Sequence, residues 1–177
     1  RPRPPRPTPL PHPTLFRSPG MWQPETVGGA IGFPYWGYNR LLVAGSIDNT
    51  VSPPPPPYST NPTSPYYAQY NEVYQVSQNL TNEQKLIAKY YNDVNPGYPA
   101  GGHYMSILKQ VLEQFNPALD KAAITFAKTG ISLFDATTGS FKAKFTYLNE
   151  RPFQYIHSVI APAASPAWKS FIPNPPY

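Results

Sequence analysis

No cysteine occurs in the 177 residues, so disulfides and thiolate metal ligands are both excluded, and cysteine usage says nothing of the compartment. Long apolar runs are missing as well. No stretch approaches the roughly 20 residues a helix needs to cross a bilayer, and no charged-then-apolar leader stands at the front. Histidine is scarce: His12, His103 and His157 are scattered without helical pairing and make no zinc site. There is no Gly-x-Ser-x-Gly elbow, no Walker loop and no dinucleotide fingerprint. Acids are few, 9 against 14 lysines and arginines, for a formal charge of +5. Because Arg1, Arg3, Arg6 and Arg17 all precede the first acid, Glu25, four of those charges belong to one end and the remaining body is nearly neutral. A nucleic-acid surface would need a basic stripe on folded elements, so that class is excluded. A chain that begins with Arg instead of Met points to processing, of which removal of a secretion signal is one route. The expectation is an exported protein, periplasmic or extracellular.

What the chain has in abundance is proline, 26 in all, and its placement divides the sequence. Prolines crowd 1–24, 52–65 and 162–177, whereas 66–95, 100–116 and 118–151 hold none, so helices belong in those three windows. The expected organisation is an extended Pro/Arg-rich tail over 1–24 and an irregular wrapping segment over 25–65. A helical bundle follows over 66–157, then a Pro-rich extended end over 158–177. In the tail, Arg1, Pro4 and Pro7 match a proline-ligand spacing, which in so proline-rich a stretch is nearly automatic. From Met21 to Asp48 aromatics and glycines mix without helical or strand period and read as irregular chain packed over a core.

Helical spacing begins at Tyr66 and runs to Val76. A second helix starts at Thr81, whose hydroxyl and Gln84 have capping-box spacing, and it is expected to run to Asn95 and Pro96. Asn79, Leu80 and Thr81 also form a glycosylation sequon, but capping already accounts for the threonine. His103 to Phe115 gives a third helix. A fourth opens with Asn116 as N-cap and Pro117 in the first turn and is closed by Gly139. Ala123, Ala127 and Gly130 on it would let a neighbouring helix approach closely. A fifth, from Ser140, carries Phe141, Lys144, Phe145 and Leu148 towards Arg151 and Pro152. Asp120, Asp135 and Glu113 fall on or beside helix faces and read as solvated charges, so no catalytic carboxylate pair is expected.

Lys144 and Arg151 are seven apart, two turns on a continuous helix, which puts both on one face about 10 Å apart along the axis. A compact ammonium and a planar guanidinium together suit a tetrahedral oxyanion. Spacing alone leaves open a snorkelling lysine and an arginine paired at a helix end.

The run Lys144-Phe-Thr-Tyr-Leu-Asn-Glu-Arg151-Pro152 resembles the first signature of the vanadium-dependent haloperoxidases and their relatives, the type 2 phosphatidic acid phosphatases: a lysine, six residues, then Arg-Pro. The context is similar to the bacterial haloperoxidase-like branch in the same order. It includes Met21-Trp22 through Trp36-Gly37, the proline run before Tyr58, Tyr70 to Val73, Asn82 to Gln84 and Gly102-His103. The resemblance covers nearly the whole chain after the tail. It implies an all-α fold, of which this is the front half, with Lys144 and Arg151 holding the oxygens of vanadate or phosphate. Vanadate would be the cofactor in the haloperoxidase branch. In the family a Pro-Ser-Gly-His segment follows, and later Ser-Arg and a second histidine, and neither follows here. Pro99 to His103 precedes the Lys-Arg signature and has an extra glycine, so His103 is read as part of a glycine-rich helix start. His157 is close after Arg151, with a packing or hydrogen-bonding role around the site. The resemblance therefore implies an N-terminal portion of a haloperoxidase or phosphatase, inactive as this chain alone. A second chain or a C-terminal half would carry the catalytic histidines. The alternative is a noncatalytic structural or interaction protein that keeps half of the fold and assembles with itself or a partner.

Overall fold

The computed structural model describes residues 18–23, 31–50, 52–93, 100–164 and 168–172. Five α-helices carry these residues: α1 (Pro65–Gln78), α2 (Asn82–Tyr90), α3 (Ala100–Phe115), α4 (Leu119–Tyr147) and the short α5 (Pro152–Tyr155). A 3-10 turn at Trp36–Tyr38 precedes them, and α5 runs directly into a π-helical turn, Ile156–Ile160. The fold is all-α, as the proline-free windows predict. The expected tail falls mostly outside the described residues, and the second helix stops short of the expected Asn95 and Pro96: it ends at Tyr90, with Tyr91 as its C-cap and residues 91–93 out of the helix.

Helix starts follow local chemistry. The Ser64 hydroxyl accepts from the Tyr67 amide, with Pro65 in the first turn where its missing N–H costs nothing. At α2 both bonds of the predicted capping box are present: the Gln84 amide donates to Thr81 Oγ1 at 3.1 Å, and the Thr81 amide donates to Gln84 Oε1 at 2.9 Å. The expectation for α4 was partly wrong. Asn116 does not cap it; its φ is +43°, and the helix begins after Ala118, which makes no side-chain cap.

The larger correction lies further along. α4 is one helix of 29 residues, continuing through Gly139 where a break and a fifth helix were expected. Glycine inside a helix costs about 1 kcal/mol against alanine, too little to stop a helix that is packed on its flank. Here Ile47 approaches to 3.3 Å from where a Cβ on Gly139 would sit. The 3-10 turn also lies against α4, with Trp36 tilted over Phe134 and Phe141 at 6.4 and 6.2 Å between ring centres. Gly37 is required there, since a Cβ on it would lie 2.6 Å from the Lys142 backbone nitrogen.

Asp135 is a second correction. It is not a solvated charge but is 3% exposed, and its carboxylate accepts from the Leu42 amide (2.8 Å), the Val43 amide (3.0 Å) and the Ser46 hydroxyl (2.7 Å). Burial alone would raise its pKa, but these three donors outweigh it and hold the carboxyl below its usual range. Asp135 thus ties the irregular 42–46 segment to α4.

Two small cores result among the described residues. Trp22 and Leu148 form one, with Met21, Ile31 and Phe145 against them. Tyr66, Tyr70 and Tyr155 form the other, covered by Tyr67, Val159 and Ile160. Tyr58, at the end of the extended proline run, meets Tyr66 and Tyr155 edge-on at 5.3 and 6.0 Å. Gly20 (φ +81°) sits so close to Tyr58 that a Cβ would fall 3.0 Å from that side chain.

Candidate oxyanion site at the end of helix α4

Lys144 occupies the last turn of α4, where the negative end of the helix dipole favours an ammonium. Its Nζ stands 5.1 Å from the Phe141 ring centre and 5.4 Å from that of Phe145. Phe145 is packed on the Trp22 and Leu148 core, so the ammonium rests on a fixed apolar floor. Burial, and after it the positive charge of Arg151, push the Lys144 pKa below its ordinary value. The two cations are therefore close enough to repel.

They do not come together as two turns of one helix. Leu148 adopts a left-handed conformation (φ +44°, ψ +40°) that ends α4. A leucine accepts this strained geometry because its side chain, 2% exposed, fills the core beside Trp22. The chain then turns back alongside 20–22. The Trp22 amide donates to Leu148 O at 2.8 Å, the Glu150 amide donates to Gly20 O at 3.0 Å, and Met21 and Asn149 form an isolated antiparallel bridge. Arg151 is extended (φ −85°, ψ 152°), as the following proline favours. Its amide donates to Gln154 Oε1 at 3.1 Å, and the Gln154 side chain in turn donates to Gln23 O at 2.9 Å. A reversed loop, not a helix face, brings guanidinium and ammonium near each other.

Lys144 and Asn149 line a cleft of about 430 Å³ whose opposite wall is the extended run Pro53, Pro54, Pro55 and Pro56. Arg151 is not part of that wall. Its tie to Lys144 is the electrostatic one.

The histidines serve elsewhere. His157 Nε2 lies 2.8 Å from Trp168 O, and its ring meets Phe153 and Trp168 edge-on, fastening 168–172 to the π-turn. His103, 7% exposed, has Nδ1 2.7 Å from Asp93 Oδ1 and is flanked by the Tyr90 and Tyr91 rings, so it joins the end of α2 to α3. His12 is outside the described residues. Among the described residues no group of three or more His, Asp or Glu side chains is arranged to hold a metal ion.

Sequence reasoning missed the polar cluster behind the loop. Tyr66 OH donates to Glu150 Oε1 at 2.6 Å, and Asn149 Nδ2 donates to Tyr70 OH at 3.1 Å. The Tyr70 hydroxyl has Glu150 O at 3.1 Å and Tyr66 OH at 3.2 Å as acceptors. Burial raises the pKa of both tyrosines, and it raises that of Glu150 despite the opposing Tyr66 bond. The only trace in the sequence is two tyrosines spaced i, i+4 on α1.

The architecture defined by these helices is haloperoxidase-like. A solved structure described as the first bacterial vanadium-dependent iodoperoxidase superposes with a TM-score of 0.80 and 26% identity, over 90% of this chain and 40% of that one. The chain thus spans about two fifths of the length of that protein. No protein-family model and no curated protein sequence matches it.

Proposed function

We propose that Lys144 and Arg151 grip a tetrahedral oxyanion, and that the 177 residues form the N-terminal portion of a vanadium-haloperoxidase-like enzyme. The observation that carries this reading is a lysine that lines a cleft and whose Nζ stands over the Phe141 and Phe145 rings at 5.1 and 5.4 Å, where burial and the neighbouring guanidinium both weigh against its charge. An anion between the two reverses the second penalty and offsets the first. Vanadate fits this donor set, since an ammonium and a guanidinium are the groups that hold oxygens of a compact anion without competing for the metal. When bound, it supplies the peroxide-activating chemistry of such enzymes. The chain's own residues bind and orient it, and histidines from outside these 177 residues, on a C-terminal portion or a second chain, complete the site. The structural neighbour is an iodoperoxidase, so peroxide-dependent iodide oxidation is the activity expected of the completed protein.

The test is titration of the chain with vanadate and with phosphate, beside Lys144→Ala and Arg151→Ala. Each variant is expected to weaken binding tenfold or more, about 1.4 kcal/mol or greater, as for a charge-assisted hydrogen bond. Equal affinity in all three proteins removes the anion site. Hydrolysis of phosphomonoesters by the completed protein, with no halide oxidation, would favour the phosphatase branch instead. A second reading, a noncatalytic half-fold that assembles with a partner, draws on the apolar side chains α2 leaves exposed: Leu86 67%, Ile87 52% and Tyr90 59%.

A further inference from the structure

The peptide unit that joins Glu150 to Arg151 is held at both of its polar ends. Its carbonyl accepts from Tyr70 OH at 3.1 Å, and its N–H donates to Gln154 Oε1 at 3.1 Å. The preceding amide, that of Glu150, is held by Gly20 O at 3.0 Å. Because a peptide unit is planar, fixing both ends and the plane before it leaves the Arg151 Cα little freedom, and the guanidinium swings from that root. The hydroxyl that holds the carbonyl is itself fixed, because Asn149 donates to it and Tyr66 lies beside it with its own proton committed to Glu150 Oε1 at 2.6 Å. Tyr66 is 2% exposed and Tyr70 5%, so no bulk water replaces these bonds. Both tyrosines come from α1, which contributes no residue to the cation pair.

We propose that Tyr66, Tyr70 and Glu150 are positioning residues for Arg151: through this closed set of hydrogen bonds, helix α1 sets where the guanidinium stands relative to the Lys144 ammonium. The inference rests on the oxyanion reading above for its purpose, but not for its first test. Glu150 acts here as an acceptor, not as a charge partner, so Glu150→Gln keeps the function while Glu150→Ala and Tyr66→Phe remove it.

The first arm needs no anion. Hydrogen exchange of the full chain, followed residue by residue, is expected to quicken about tenfold at the Glu150 and Arg151 amides in Tyr70→Phe, which frees the Glu150 carbonyl and removes the acceptor of Asn149, while amides in the middle of α4 keep wild-type rates. Unchanged exchange at 150 and 151 overturns the proposal, and so does uniform quickening along the whole chain, which is general destabilisation. The second arm titrates phosphate and vanadate. Tyr66→Phe, Tyr70→Phe and Glu150→Ala are each expected to weaken binding about five- to tenfold, and the Tyr66→Phe/Glu150→Ala pair no more than either alone, since both break one bond. Glu150→Gln is expected to stay within about twofold of wild type, the rescue that a mere charge effect would not give. Wild-type affinity in Tyr66→Phe and Tyr70→Phe, with Arg151→Ala deficient, sinks the positioning role. A wild-type chain with no affinity for either anion sinks the oxyanion reading instead, and the exchange arm then decides whether α1 holds Arg151.

Discussion

Glu150 is ionisable, half-buried and given a single hydroxyl donor, and the balance of burial against the Tyr66 bond leaves its pKa above the ordinary 4.5. The sign of its effect on stability follows. A carboxyl whose pKa rises on folding contributes stability that is full below 4.5 and is lost as pH climbs through the folded value, so at neutral pH the ionised form weighs against the fold. Glu150→Gln is therefore expected to raise the melting temperature at pH 7 and to leave it level with wild type below pH 4.5, measured by melting curves across that range. A lower melting temperature for the variant at pH 7 would contradict the account. Asp135 runs the opposite way: three donors lower its pKa, so its contribution stands at neutral pH and is lost in acid. Of these two acids the sequence made neither legible. Whether a carboxylate is solvated or buried depends on which distant segment covers it, and Asp135 is covered by residues some ninety positions earlier.

Among the elements, what was legible was what local chemistry decides. The Thr81 and Gln84 capping box, the extended proline run and the helical windows are all short-range facts, and each stands in the structure. What failed was long-range. Gly139 reads as a stop, but Ile47 and the 3-10 turn support the helix across it. Leu148 reads as a helical face residue, but the core around Trp22 is filled only if it turns left-handed. The closeness of Lys144 and Arg151 was thus expected for a reason the structure replaces. The same packing yields a prediction for the 3-10 turn. Gly37→Ala would place a methyl 2.6 Å from backbone that cannot step aside, so the turn must lift from α4. A loss of about 1 to 3 kcal/mol in urea unfolding is expected, as for an overpacked core position. The weakened contact is at Lys142, two residues before Lys144, so anion affinity should fall with it. Unaltered unfolding would mean the turn is not held as described.

At the scale of the molecule, apolar surface is left outward on several helices at once. Phe115 is 74% exposed and Leu119 86% at the junction of α3 and α4, and the α2 face adds Leu86 at 67%. Surfaces of this kind mark places where other polypeptide packs. Sedimentation of the 177-residue chain should accordingly show association that grows with concentration, and Leu86→Asp with Leu119→Asp should reverse it. A chain that stays monomeric at high concentration would count against both the half-enzyme and the assembling half-fold. The unbroken course of α4 carries a further consequence. A rod of 29 residues has no joint at which an error in its winding can be absorbed. Removing one residue between Leu119 and Lys144 would rotate the ammonium by about 100° around the axis and draw it back about 1.5 Å. The number of residues ahead of Lys144 therefore specifies the site as firmly as the identity of the lysine does.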